Sequence, residues 1–233
     1  MDAMQKKEKI QMRHELKYPL GRAEYESLRR RCALVMERDS HVDADGGYSI
    51  ESLYFDDLAD SALMANYAGI SFREKFRIRR YGGNNATLHL EKKLKSGGLG
   101  TKFSAPMTAE ELEALLAGDT SWMMKREDSL IRELYVRMKQ EQLRPKTIVS
   151  YRREPYVYGP GNVRVTFDYD IRSGICSTDL LGEAVLVPAM PNFVLMEVKW
   201  DNYLPDIIAD IIQEGTLRVS AFSKYAACRQ FDI

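Results

Sequence analysis

The chain has 233 residues, 45% of them hydrophobic, and its 34 Lys and Arg balance 34 Asp and Glu to a formal net charge of +0. That length holds one large domain or two small ones, and a balanced charge argues against a broad basic footprint for nucleic acid while leaving room for a local basic pocket. No apolar run serves as a signal peptide or reaches the roughly 20 residues that span a bilayer, and the widely spaced Cys32, Cys176 and Cys228 read as reduced thiols of a cytoplasmic protein.

Residues 1–10 read as a flexible lead-in and 11–233 as a single domain, with no linker long enough to divide it. From 11 to 19, QMRHELKYP alternates as a strand, with Arg13, Glu15 and Lys17 on one side and Met12, His14, Leu16 and Tyr18 on the other. GRAEYESLRRRCALVM then carries Tyr25, Leu28, Cys32 and Val35 at helical spacing. DADGG at 43–47 is a turn, 48–56 a strand, and 56–67 a short helix stopped near Gly69. Strands follow at 71–81 and 86–95 around the GGNN hairpin turn, and at 101–106 after SGGLG.

TAEELEALLAG at 108–118 reads as a helix with Thr108 as cap, Glu111 at the capping-box position and Gly118 as stop. A second helix is expected over about 121–143, ending before Pro145. Strands return at 146–154, 162–171 and 193–200, with a lesser one at 184–188. Two helices, about 205–214 and 222–231, close the chain. Short hairpin links favour antiparallel pairing, the class is α+β, and about eight strands are enough to close a barrel.

The stretch KFRIRRY at 75–81 sets Lys75, Arg77 and Arg79 on one face of a strand and Phe76 and Ile78 on the other. HLEKKLK repeats the pattern with Glu91, Lys93 and Lys95 opposite Leu90 and Leu94, Lys92 being the exception. Lys102, Tyr151 with Arg153, Arg164 with Asp168, and Glu197 with Lys199 continue it on later strands. A sheet with one solvated charged face accounts for any single strand. Inserted helices with apolar stripes, however, need a surface to cover. If they cover the outside of a closed barrel, the charged faces point into its lumen. Unpaired buried charge costs several kcal/mol per ion, so such a lumen calls for a polyanion, and phosphate oxygens match Arg and Lys donors. Glutamates among those cations suit a hard divalent metal sharing phosphate oxygens.

RHELKYPL, FRIRRYGG, LHLEKKLKSGG, TKFS, YRREPY, VRVTFDYDIR, LMEVKW and FSKY, in this order, are together similar to the VTC domain. This is the catalytic domain of vacuolar-transporter-chaperone-type polyphosphate polymerases, within the CYTH-like triphosphate tunnel metalloenzyme superfamily. The resemblance runs from about 11 to 231. It implies a closed antiparallel eight-stranded β-barrel with charged residues inside and helices outside, acting as a phosphotransferase that moves the γ-phosphoryl of ATP onto polyphosphate. It implies Arg77, Arg79, Lys93 and Arg164 as catalytic cations, and Lys17, Lys102, Tyr151, Arg153, Ser223 and Lys224 as phosphate-binding residues. Glu197 would hold Mn²⁺ or Mg²⁺, with Glu15 and Glu91 as further candidates. Tunnel hydrolases usually begin Glu-x-Glu-x-Lys; Arg13 stands at the first glutamate here, which tilts towards the VTC branch. The alternatives are a tunnel hydrolase of tripolyphosphate or nucleoside triphosphates, and a non-catalytic polyphosphate-binding module. Expected partners are ATP or another triphosphate, polyphosphate or pyrophosphate, and no nucleic acid. With no membrane span, coupling to transport would need a separate membrane protein.

Overall fold

The computed structural model describes residues 12–182, 184–213 and 217–231; the expected flexible lead-in at 1–10 lies outside them. In chain order the elements are β1 (Arg13–Leu20), α1 (Arg22–Val35), β2 (Glu37–Arg38), β3 (Tyr48–Asp56), α2 (Ser61–Tyr67), β4 (Arg73–Tyr81), β5 (Asn84–Ser96) and β6 (Leu99–Met107). They continue with α3 (Ala109–Leu116), α4 (Ser129–Gln140), β7 (Arg144–Tyr158), β8 (Val163–Ser173), β9 (Val187–Pro188), β10 (Val194–Trp200), α5 (Asp206–Ile212) and α6 (Lys224–Cys228).

Eight strands close on themselves in the order β1–β6–β5–β4–β3–β7–β8–β10 and back to β1, every neighbour antiparallel. The seam lies between β1 and β6, where only Arg13↔Gly100 and His14↔Leu99 pair. Short β2 and β9 append to the outer edges of β7 and β8. Two hairpins rest on paired glycines. Gly82 and Gly83 (φ 59° and 70°) link Tyr81 to Asn84, and Gly97 and Gly98 (φ 57° and 84°) link Ser96 to Leu99. Two successive positive φ angles make the tight turn whose twist matches the strands, and glycine adopts them without steric cost.

The apolar faces point outward under helices. On one side α3 and α4 lay Leu112, Leu115, Ile131 and Leu134 over Phe76, Ile78, Leu88 and Leu90. On the other, α1 and α5 lay Leu28, Cys32, Ile208 and Ile212 over Val163, Val165, Phe167, Met196 and Val198. Each fully buried Leu or Ile contributes about 1.5–3 kcal/mol. α3 begins on the expected reciprocal cap: Glu111 N donates to Thr108 Oγ1 at 3.2 Å, and Thr108 N to a Glu111 carboxylate oxygen at 3.0 Å. It stops at Gly118, whose φ of 90° turns the chain so that Asp119 N donates to the Ala114 carbonyl at 2.8 Å. Lys92 proves to face outward, bonded to Glu133 at 2.5 Å and Glu74 at 2.8 Å over the Phe76 ring. It is a charge within the helix-covered layer, which is why it breaks the alternation.

Three expectations change. The single helix over 121–143 is a 3-10 turn, Met123–Lys125, then α4 starting at Ser129; the backbone is extended at Arg126 (ψ 142°), which breaks the helix, and Met123 is buried in the core. The helix expected over 56–67 starts at Ser61, because Asp56 is still strand and its carboxylate caps Ala62 N and Leu63 N at 2.9 and 3.1 Å. The helix expected over 222–231 is short α6 followed by a 3-10 turn, Arg229–Phe231.

Candidate functional site in the barrel lumen

Period two along each strand, closed into a ring, turns the alternate polar residues inward. Cross-strand register then stacks Tyr54 beside Arg77, Ser52 beside Arg79, Lys75 beside Lys93, Lys93 beside Lys102, Lys17 beside Glu197, and Arg153 beside Asp168. Two cavities result. One, of about 170 Å³, opens beside α2 and α6 and includes Lys17, Lys75, Tyr151, Glu197, Ser223 and Lys224 in its walls. The other, of about 400 Å³, opens at the opposite end among Glu15, Tyr48, Lys102 and Arg164. Arg77, Arg79, Lys93, Arg153 and Lys199 belong to both, so the cavities are the two halves of one lumen joined at a belt of five cations. Together their walls carry thirteen Lys and Arg side chains.

Four carboxylates face this charge. Glu91, 1% exposed, receives Arg77 Nε at 2.8 Å and Lys102 Nζ at 2.6 Å, with Arg79 at 3.7 Å. Burial pushes its carboxyl up, but Arg77, Arg79 and Lys102 overcome that and hold it far below the ordinary range. Asp168, wholly buried, takes a two-pronged bond from Arg153 Nε and Nη2, both at 2.7 Å, and Lys224 Nζ at 2.5 Å. Glu197 lies 3.1 Å from Lys224, 3.3 Å from Lys17, 3.5 Å from Lys199 and 3.6 Å from Arg153. Those cations outweigh its burial and keep it ionised. Glu15 meets Lys93 at 2.8 Å, Lys199 at 3.4 Å, and Lys95. Two more carboxylates pair with cations at the far end, Asp39 with Arg164 at 2.8 Å and Asp201 with Arg13 at 2.7 Å, so thirteen cations meet six carboxylates and an excess of positive charge remains in the lumen.

The tyrosines orient the arginines. Arg77 Nη1 donates to Tyr54 Oη at 2.8 Å, and Arg79 donates to Ser52 Oγ at 3.0 Å and Tyr151 Oη at 3.1 Å. Arg164 donates to Tyr48 Oη at 2.9 Å beside Asp39 at 2.8 Å. α6 closes on the near end through Lys224, through Tyr225 stacked on Tyr54 at 4.9 Å, and through Tyr225 Oη donating to Asp56 at 2.8 Å. Lys17 Nζ ties down the preceding segment by donating to the Phe222 carbonyl at 2.9 Å.

Of the residues singled out in the sequence, Lys17, Arg77, Arg79, Lys93, Lys102, Tyr151, Arg153, Arg164, Ser223, Lys224, Glu15 and Glu197 all line the lumen. Glu91 is set back behind Arg77 and Lys102. Sequence reasoning did not single out Arg73, Lys75, Lys95, Lys199, Tyr54 or Asp168 as site residues. The signal was available, since Lys75 and Arg73 share the period of Arg77 and Arg79, and Lys199 that of Glu197. Asp168 differs: its role as counter-charge to Arg153 and Lys224 depends on a pairing across strands and on α6.

The three glutamates expected around a metal do not converge as a triad, and among the described residues no group of three His, Cys, Asp or Glu is placed to hold one. Glu91 is spent on three cations. Glu15 and Glu197 do converge, both within 3.5 Å of the Lys199 ammonium. Glu15 itself carries three cations and Glu197 four, so the pair opens to a divalent ion only once a bound phosphate chain draws those cations away; two carboxylates completed by phosphate oxygens and water then suit the way Mg²⁺ is commonly bound. No helix of the described residues is long and apolar enough to cross a membrane.

The family model of the VTC domain matches residues 12–231. No curated protein matches the chain. Among solved structures, the PH1012 protein of Pyrococcus horikoshii is similar at 13% identity and a TM-score of 0.44, over 91% of this chain and 97% of that one. The PH1819 protein of the same organism is similar at 14% identity and a TM-score of 0.41, over 86% and 84%. A conserved hypothetical protein of Pyrococcus furiosus is similar at 11% identity and a TM-score of 0.41, over 86% and 85%.

Proposed function

The chain belongs to the VTC domain family, and from that premise we propose that its lumen is a phosphotransferase centre moving the terminal phosphoryl group of ATP onto a polyphosphate chain. One observation carries the reading: a barrel interior with thirteen cations in its walls and six carboxylates to offset them. A linear polyanion compensates that excess along the whole length of the lumen, which a single small anion does not.

Phosphoryl transfer needs positioning and charge neutralisation more than covalent chemistry from the protein. The belt of Arg77, Arg79, Lys93, Arg153 and Lys199 grips successive phosphates from opposing walls. Lys17, Ser223 and Lys224 hold the chain at the α6 end, and Lys102 and Arg164 at the other. Tyr54 and Tyr151 fix the guanidinium planes, so the donors are oriented before substrate arrives. The attacking group is a terminal phosphate oxygen that already carries charge, and no general base is required for it. Glu197 and Glu15 would hold Mn²⁺ or Mg²⁺, whose contribution when bound is to neutralise the β- and γ-phosphate oxygens.

The test is purified protein with ATP and Mn²⁺ or Mg²⁺, followed on a gel stained for polyphosphate and by release of free phosphate. Polymer that accumulates with ADP supports the polymerase. Free phosphate without polymer overturns it in favour of a tunnel hydrolase. Tight polyphosphate binding with no ATP consumption overturns it in favour of a binding module.

A further inference from the structure

Lys75 differs from the other lumen lysines. Lys17, Lys93, Lys95, Lys102, Lys199 and Lys224 each have a carboxylate within 4 Å. Among the described residues no carboxylate is paired with Lys75; its ammonium contacts Ser223 Oγ at 3.1 Å, Asn66 Oδ1 at 3.4 Å, and the face of the Tyr225 ring at 5.2 Å. Ser223 in turn is fixed in place, because its Oγ also accepts from Ala226 N at 3.3 Å. The hydroxyl lines the same cavity wall as Lys17, Arg77 and Lys224, where the end of a phosphate chain would lie. A hydroxyl in hydrogen-bond reach of an amine, with that amine held by a third group, is the arrangement of an activated nucleophile.

We propose that Ser223 is a phosphoryl acceptor, taking the terminal phosphoryl group of a nucleoside triphosphate held in the lumen while Lys75 takes the hydroxyl proton. The inference rests on the reading that the lumen holds a triphosphate. In the step, Ser223 Oγ attacks the terminal phosphorus as the bond from that phosphorus to the bridging oxygen breaks. The bridging electron pair leaves on the nucleoside diphosphate, and the serine proton ends on Lys75 Nζ. The product places a phosphoserine beside the newly formed Lys75 ammonium, so the two charges created in the step pair with one another.

The charges around Lys75 favour its role as proton acceptor. Burial first, then Lys17 from β1 and Arg73 from its own strand, lower its ammonium to about 7; Lys95 from β5 adds to this and Asp56 from β3 opposes it. Before substrate binds, the lumen thereby favours the free amine, and a bound triphosphate moves the group back towards its ammonium, so the rate of acceptance should rise with pH as that proton is lost.

The experiment uses the full chain with ATP and Mg²⁺, read by intact mass and by phosphopeptide mapping, with phosphate release and polymer followed in parallel. Expected is a gain of one HPO₃ at Ser223, absent in Ser223→Ala. Lys75→Arg keeps a cation at the site but removes the base, and should slow the modification ~100-fold, the low end for losing a general base. Triphosphate turnover without the added mass at Ser223 overturns the inference and leaves the proposed function standing. Wild-type modification in Lys75→Arg overturns the role of Lys75 and with it the proposal as stated. Absence of both turnover and modification overturns the inference and the reading beneath it.

Discussion

Replacing Arg77 with methionine separates what the lumen does for the fold from what it does for the reaction. Arg77 donates to Glu91 from Nε at 2.8 Å and lies 2.7 Å from it through Nη2, while Nη1 donates to Tyr54 at 2.8 Å. Breaking a buried pair by removing one partner costs about 3–5 kcal/mol. Glu91 keeps Lys102 at 2.6 Å and Arg79 at 3.7 Å, so the loss belongs at the lower end, about 3 kcal/mol. For a chain of this size that lowers Tm by roughly 6–12 °C. Removing both partners relieves the Arg77–Glu91 pair together, but Glu91→Gln also takes the carboxylate from buried Arg79 and from Lys102; Arg77→Met with Glu91→Gln should therefore recover only part of the Tm. Turnover should not recover. Loss of one preorganised donor costs about 2.7–4 kcal/mol in the transition state, or about 10²–10³-fold, and the double variant still lacks it. Thermal unfolding and the ATP-to-polyphosphate assay, run on the wild type, both singles and the double, give the answer. Turnover near wild type in Arg77→Met, or restored in the double variant, would refute the reasoning.

Three further outcomes follow from the same geometry. Arg164 is about a third exposed, with Tyr48 and Asp39 as partners; an exposed pair of this kind is worth about 0–1 kcal/mol. Arg164→Ala should thus cut turnover about a hundredfold with little change in Tm, and wild-type turnover would remove Arg164 from the site. Glu91 and Glu197 titrate well below their ordinary 4.5. Carboxylates depressed in the folded state give stability that is complete above that value and is lost as pH falls below it. Denaturant unfolding should show stability dropping from about pH 4.5 downward, more steeply in the wild type than in Glu91→Gln, and equal slopes would contradict the pairing. Thr108→Ala removes the α3 cap on the outer surface and should cost about 1 kcal/mol while leaving turnover unchanged; a large loss of turnover would mean that the outer helices act on the lumen.

Much of the barrel was legible because its signals are local. Alternation in KFRIRRY, HLEKKLK and FVLMEVKW assigns faces, paired glycines mark the two tight hairpins, and TAEELEALLAG carries its own cap and stop. What could not be read from periodicity is which side of the sheet is enclosed, since a solvated charged face has the same pattern; closure depends on the two-pair seam between β1 and β6. The same limit applies within the site. Lys75 and Arg77 look alike in sequence, yet one is uncompensated and the other is bound to Glu91, because their partners come from α2, α6 and β5. Asp168 was visible on its strand but not as the anchor of Arg153 and Lys224, which lie 15 residues before it and more than 50 after it in the chain. Helix ends were misplaced where a side chain from elsewhere took over the capping, as Asp56 does for α2.

The most direct measurement is a crystal structure of the protein grown with tripolyphosphate. The account predicts a phosphate chain threaded along the barrel axis, its oxygens within hydrogen-bond distance of Arg77, Arg79, Lys93 and Arg153, with Lys224 at one end and Lys102 or Arg164 at the other. Tripolyphosphate bound only on the outer surface, with the five-cation belt still closed on its own carboxylates, would contradict it.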